Sequence, residues 1–173
     1  RNTGNLKRYM ERLFLFAAVA QVPYMWVLSY QLNVMFTLLL GLAAIHLTSR
    51  AKSKAAAFLI VTAFTMISLF CDWAIIGIPM ILIYYYTENQ KKCVIYPIVV
   101  AGLLIGLFPV WSVISGDMDK LPELFFYFIG CILTIPLLMK YSGARGFPLR
   151  YFFYIYYPAH LIVLGAIRGI VFN

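Results

Sequence analysis

The chain has 173 residues, 64% of them hydrophobic and only 12% charged, with a formal net charge of +8. A soluble domain of this size carries about 45–50% apolar and roughly 25% charged residues, so an ordinary water-soluble fold is excluded. The basic excess does not point to nucleic acid: the lysines and arginines sit in short loops between apolar runs, where cytoplasmic cations belong.

The apolar runs cover residues 13–29, 34–47, 55–70, 73–86, 93–113, 124–139 and 151–171. A membrane-crossing helix needs about 20 residues, with a range of roughly 17–25. The expected fold is therefore all-α, a polytopic transmembrane bundle of seven segments forming a single domain over residues 1–173, with no repeat and no linker. The second and fourth runs fall short of a full span, so they are expected to be sunk below the membrane surface at one end, or interrupted. The loop charges support this parse. Every Lys and Arg except Lys120 and Arg168 falls on one side, while Asp72, Asp117, Asp119 and Glu123 fall on the other. By the positive-inside rule the chain starts in the cytoplasm and ends outside. It begins with Arg1 rather than Met, so further residues are expected upstream.

Taken in chain order, the polar residues in these runs each ask for a reason. Arg12 opens the first run and is expected to reach the inner headgroups. Asn33 stands in a short outer turn and suits the N-cap of the second helix. His46 reads as an interfacial histidine. Asp72, in Cys71-Asp72-Trp73, is either a plain loop acid or a carboxylate in a recessed turn, where it would orient and strengthen an imidazole. Lys140, Arg145 and Arg150 lie in a basic, glycine-containing inner loop, which is either an ordinary positive-inside loop or a phosphate-binding one. Pro23, Pro79, Pro97, Pro109 and Pro136 fall inside apolar runs, where a bundle tolerates kinks.

The last run, Tyr151-Phe-Phe-Tyr-Ile-Tyr-Tyr-Pro-Ala-His160-Leu, holds the densest set. Nine residues at 1.5 Å each put His160 about 14 Å deep, near the midplane of a core about 30 Å thick. Tyr156 and Tyr157 share its helical side, and Pro158 frees a carbonyl nearby. His160 is either a structural histidine bonded to a tyrosine or a general base in a cavity. Arg168 follows near the outer end. The cysteines Cys71, Cys93 and Cys131 are far apart and form no C-x-x-C pair, so neither a metal site nor a disulfide framework is expected. Walker-type loops, dinucleotide fingerprints, G-x-S-x-G elbows and H-E-x-x-H motifs do not occur.

Four stretches together resemble the TraX family of integral-membrane proteins, known for N-terminal acetylation of conjugative pilin. They are Asn5-Leu-Lys-Arg-Tyr-Met-Glu-Arg12 with Gln21-Val-Pro23, then Leu32-Asn33-Val-Met-Phe-Thr-Leu-Leu-Leu-Gly41, Asp72-Trp-Ala-Ile-Ile-Gly77, and the Tyr151–Leu161 stretch. Ala74 stands where the family pattern has a glycine, and the pattern's opening Asp-His, Gly-Arg and F-P pairs are not in this chain. The resemblance implies a bacterial inner-membrane acyltransferase that takes an acetyl group from acetyl-CoA, without a metal, to an amine such as a peptide or pilin N-terminus. It implies His160 as base with Asp72 as its partner, and Tyr157, Asn33 and Tyr156 around the substrate. Lys140, Arg145 and Arg150 would face the CoA phosphates. Two other classes remain open: a proton-coupled transporter, which would use the same intramembrane polar residues, and a non-catalytic membrane subunit.

Overall fold

The computed structural model describes residues 5–141 and 152–171. Within them the chain forms seven α-helices: α1 Leu6–Val27, α2 Val34–Thr48, α3 Lys54–Ile67, α4 Ala74–Tyr86, α5 Gln90–Ile114, α6 Leu121–Met139 and α7 Phe152–Val171. Short 3-10 turns cover Ser68–Phe70 and Met118–Lys120. No β-strand occurs among the described residues, but one isolated parallel bridge pairs Leu32 with Cys71.

Each apolar run has become one helix. The chief difference is at the start of α1, which begins at Leu6 rather than near residue 13. Its first turns are polar, and local bonds hold them. Asn5 caps the helix by accepting the Arg8 N–H at 3.2 Å, and Lys7 pairs with Glu11 at 3.9 Å, four residues on. Such an exposed pair is worth about 0.2–0.5 kcal/mol. Asn33, Ser53 and Asn89 cap α2, α3 and α5 in the same way, satisfying amides that a helix start leaves open.

By length and apolarity, α5 and the segment Met118–Met139 that contains α6 can cross a membrane. The helices Val34–Thr48, Lys54–Phe70 and Ala74–Tyr86 are apolar but shorter.

The chain divides into two compact units. The first holds α1, α2, α3, the opening of α4 and α7. Its core is Leu13, Ala17 and Ala20 of α1 with Met35 of α2, and Phe16, Leu39, Tyr154 and Tyr157 pack against them. Ala17 and Ala20 are small, which lets neighbouring helix backbones come close where lipid supplies no hydrophobic drive. Gly165 does the same on α7: a Cβ there would lie 2.6 Å from Trp26 Cζ3 and 2.8 Å from Val27 Cγ2.

The second unit holds the rest of α4 with α5 and α6. The Tyr127 hydroxyl donates to the Ala101 carbonyl at 2.7 Å. The Gln90 amide donates to the Met139 and Tyr141 carbonyls at 3.1 and 3.0 Å, so the start of α5 lies at the end of α6.

Candidate functional site

The site is built on the way α2 begins. α1 continues to Val27, but the chain then doubles back, so that Asn33 lies beside Ala17 and Gln21 instead of at the end of α1. The Asn33 side-chain amide donates to the Ala17 carbonyl at 2.8 Å and to Gln21 Oε1 at 3.0 Å. Its backbone N–H donates to the same Gln21 oxygen at 3.0 Å, and Gln21 Nε2 donates to the Gln31 carbonyl at 2.8 Å. Asn33 Oδ1 accepts from the Met35 N–H at 3.0 Å, the N-cap read from the sequence. From Ala17 to Val27 is ten residues, or about 15 Å of helix, so α2 starts roughly that far short of the end of α1.

The turn between α3 and α4 is carried to the same level. The Leu32 N–H donates to the Phe70 carbonyl at 2.9 Å, and the Asp72 N–H to the Leu32 carbonyl at 2.8 Å. The Ser68 hydroxyl, fully buried, lies between the carbonyls of Thr65 and Ala74. Gly77 then lets α4 close on α2, since a Cβ there would run into Thr37 Cγ2. Asp72 therefore stands at the recessed start of α2. The Tyr24 hydroxyl, on a side chain only 2% exposed, faces Asp72 and Ser29.

α7 completes the arrangement. It runs parallel to α1, with Tyr154 stacked on Phe16 (centroids 4.5 Å apart, planes at 16°) near its start and Arg168 Nη1 donating to the Val27 carbonyl at 2.9 Å near its end. This sets Tyr157 at the level where α2 begins. Tyr157 and Val34 of α2 pack against the same α1 core, and the Tyr157 hydroxyl lies within the electrostatic reach of Asp72 and Tyr24. One turn on, the His160 ring is 5.4 Å from the Tyr157 ring and stacks on Tyr156 at 5.2 Å. His160 Nδ1 is 3.0 Å from the Tyr156 carbonyl. A carbonyl can only accept, so the proton of the neutral imidazole sits on Nδ1 and the lone pair is on Nε2.

The structure thus gathers Asn33, Asp72, Tyr156, Tyr157 and His160 in one unit. It does not pair them as the sequence suggests. Asp72 turns to Tyr24 and Tyr157, and the Tyr156 carbonyl orients the imidazole. No hydrogen bond or ion pair joins Asp72 to His160 among the described residues. Asn33 is fully buried with both amide hydrogens in use, which leaves Tyr157 as the group free to donate. Lys140 is exposed at the end of α6 in the second unit, and Arg145 and Arg150 lie outside the described residues. Arg12 makes a bond from Nε to the Arg8 carbonyl at 3.3 Å and neighbours Tyr154, as Tyr9 does. Among the described residues, no three of His, Cys, Asp or Glu are grouped to hold a metal ion.

Sequence reasoning missed Gln21 and Tyr24. Gln21 had a signal, being an amide between Ala20 and Val22 inside an apolar run. Tyr24 had none, because tyrosines are common near the ends of membrane helices.

A family model described as TraX protein matches residues 1–168. A probable fimbrial assembly protein, FimC of serogroup H1, from Dichelobacter nodosus is 29% identical over 188 residues, covering 94% of this chain and 72% of its own length. No solved structure matches.

Proposed function

The chain belongs to the TraX family, and from that premise we propose that it is an integral-membrane acyltransferase moving an acetyl group from acetyl-CoA to an amine, such as the N-terminus of a peptide or pilin. The observation that carries this reading is the Tyr157 ring 5.4 Å from the ring of His160, whose Nδ1 is oriented by the Tyr156 carbonyl at 3.0 Å. The similarity to a probable fimbrial assembly protein supports an acceptor in that setting.

The chemistry fits these groups. A neutral amine attacks the thioester carbonyl, forming a C–N bond and placing negative charge on oxygen. The Tyr157 hydroxyl is the donor placed to stabilise that oxygen. His160 Nε2 takes the proton lost by the amine and returns it to the sulfur as the C–S bond breaks. Lys140, Arg145 and Arg150 supply cations of the kind that CoA phosphates require. Asp72 and Tyr24 complete a polar lining at the start of α2.

The recess supports the proposed topology of seven spans, from a cytoplasmic N-terminus to an outer C-terminus in the bacterial inner membrane. At 15 residues, α2 is about 22 Å long, too short to cross alone. Its start is pulled inward by Gln21 and shielded by α1 and α7, as irregular backbone at membrane depth must be. An acceptor entering from outside would meet the acyl group at mid-depth, beside His160.

The test is acetyl transfer from labelled acetyl-CoA to a peptide amine by full-length protein in lipid nanodiscs. Transfer that is lost in His160→Ala, with the protein still folded, is expected. Solute flux in proteoliposomes without any acylation would replace the reading with that of a carrier.

A further inference from the structure

We infer that Gln21 is a positioning residue of this site: it sets the level at which α2 begins and thereby keeps Val34 and Tyr157 packed together on the α1 core. The consequence for rate rests on the acyl-transfer reading. The geometric part stands without it.

Gln21 lies in the middle of α1, four residues after Ala17. Its oxygen accepts two bonds from Asn33, one from the backbone and one from the side chain, both at 3.0 Å. Its nitrogen donates to the Gln31 carbonyl at 2.8 Å. One side chain therefore ties down the last residues of the segment that doubles back from α1, at Gln31 and Asn33. The neighbouring residue extends the effect, because Leu32 bonds Phe70 and Asp72 through its own N–H and carbonyl, at 2.9 and 2.8 Å. Gln21 is thus bonded to the cap of α2 and, through Leu32, linked to Asp72.

No other type of side chain does this from that position. The segment needs an acceptor for the Asn33 amides and a donor for the Gln31 carbonyl, from one group, in surroundings where unpaired polar atoms are costly. Glutamate supplies only the acceptor. Methionine matches the length and supplies neither. Without the two anchors, the backbone of 31–33 regains the option of rising toward the end of α1, where polar groups find water. Val34 then loses its place beside Tyr157 on the α1 core. Gln21 touches no reacting atom in this scheme, and it acts through Val34 and Tyr157.

The experiment is amide hydrogen exchange and acyl transfer on the full chain in nanodiscs, for wild type, Gln21→Met and Gln21→Glu. In Gln21→Met, exchange at Leu32, Asn33 and Asp72 is expected to speed up tenfold or more, with the rest of α1 unchanged. The kcat for acetyl transfer is expected to fall tenfold or more, with KM for acetyl-CoA within twofold. Gln21→Glu should lie between the two on both readouts. Unchanged exchange in Gln21→Met overturns the inference, as do freed amides with full kcat, or protection restored in Gln21→Glu without recovery of rate. If wild type transfers no acetyl group, the acyl-transfer reading falls, and exchange at Leu32 and Asn33 alone decides the role of Gln21.

Discussion

The Tyr157 ring lies 5.4 Å from the His160 ring, while the same residue packs with Val34 of α2 against the α1 core. One residue thus links the histidine of α7 to the recessed start of α2. Removing only the hydroxyl isolates its part in the chemistry. Tyr157→Phe keeps the ring that packs on the α1 core. It should lower acetyl transfer by about 100-fold or more, the scale of losing one oxyanion donor. Stability should drop by no more than about 1 kcal/mol, because only a hydroxyl is removed and the ring packing stays. Initial rates with labelled acetyl-CoA, beside an unfolding titration in detergent, separate the two. Full activity in Tyr157→Phe would remove the hydroxyl from the chemistry.

His160 makes a different prediction because its role is to carry a proton, not to hold a shape. Its Nδ1 contacts the Tyr156 carbonyl of its own helix, and its ring stacks on Tyr156, which is 55% exposed. Little of the fold hangs on it. His160→Ala should therefore stay folded and lose about 100- to 10,000-fold in rate, the usual range for a positioned general base. The vacated space lies beside an exposed tyrosine, so added imidazole should restore part of the rate. A folded His160→Ala variant at wild-type rate would point to a structural histidine.

The seven helices were legible because apolar length and loop charge are local properties of the chain. The early start of α1 was not, since Asn5, Lys7 and Glu11 stabilise a helix by bonds that hydropathy does not register. The site was half legible. Asn33, Asp72, Tyr157 and His160 are polar residues in apolar surroundings, and each drew attention for that reason. Their pairing was not readable, because it depends on how far the 28–33 segment folds back along α1. That level is set by Gln21, Gln31 and Leu32, whose partners are known only once α1, α2 and the α3–α4 turn are side by side. The short α2 announced a recess without saying what holds it.

Ala74 departs from the glycine of the resembling pattern, and the structure shows the consequence. It opens α4 at φ 27°, in the left-handed region where a Cβ is crowded. Holding a non-glycine residue there costs about 1–3 kcal/mol, whereas glycine loses roughly 0.5–1 kcal/mol more backbone entropy on folding. The balance favours glycine. Ala74→Gly should stabilise the protein by about 1 kcal/mol and Ala74→Val should destabilise it. Unfolding midpoints measured in the same detergent check this, and a lower midpoint for Ala74→Gly would contradict the strain.

At the far end, α1 and α7 are joined by one charged bond and one close approach. Arg168 donates to the Val27 carbonyl at 2.9 Å, at the C-terminal end of α1, where the helix dipole favours a cation. Gly165, one turn earlier, allows the contact with Trp26 and Val27. The charged bond is partly exposed, so Arg168→Met should cost about 1 kcal/mol. Gly165→Val is a larger insult: its side chain meets Trp26 and Val27 at distances no real Cβ adopts, and overpacking of this kind costs about 1–3 kcal/mol. Both changes loosen the outer ends of the two helices, whereas Tyr157 is held lower down by Tyr154 on Phe16 and by the α2 start. Arg168→Met should therefore lower the unfolding midpoint while keeping acetyl transfer within about twofold of wild type at temperatures where it is folded. A rate that falls in step with Arg168→Met, at constant folded fraction, would show that the outer clamp and the Tyr157 site move together.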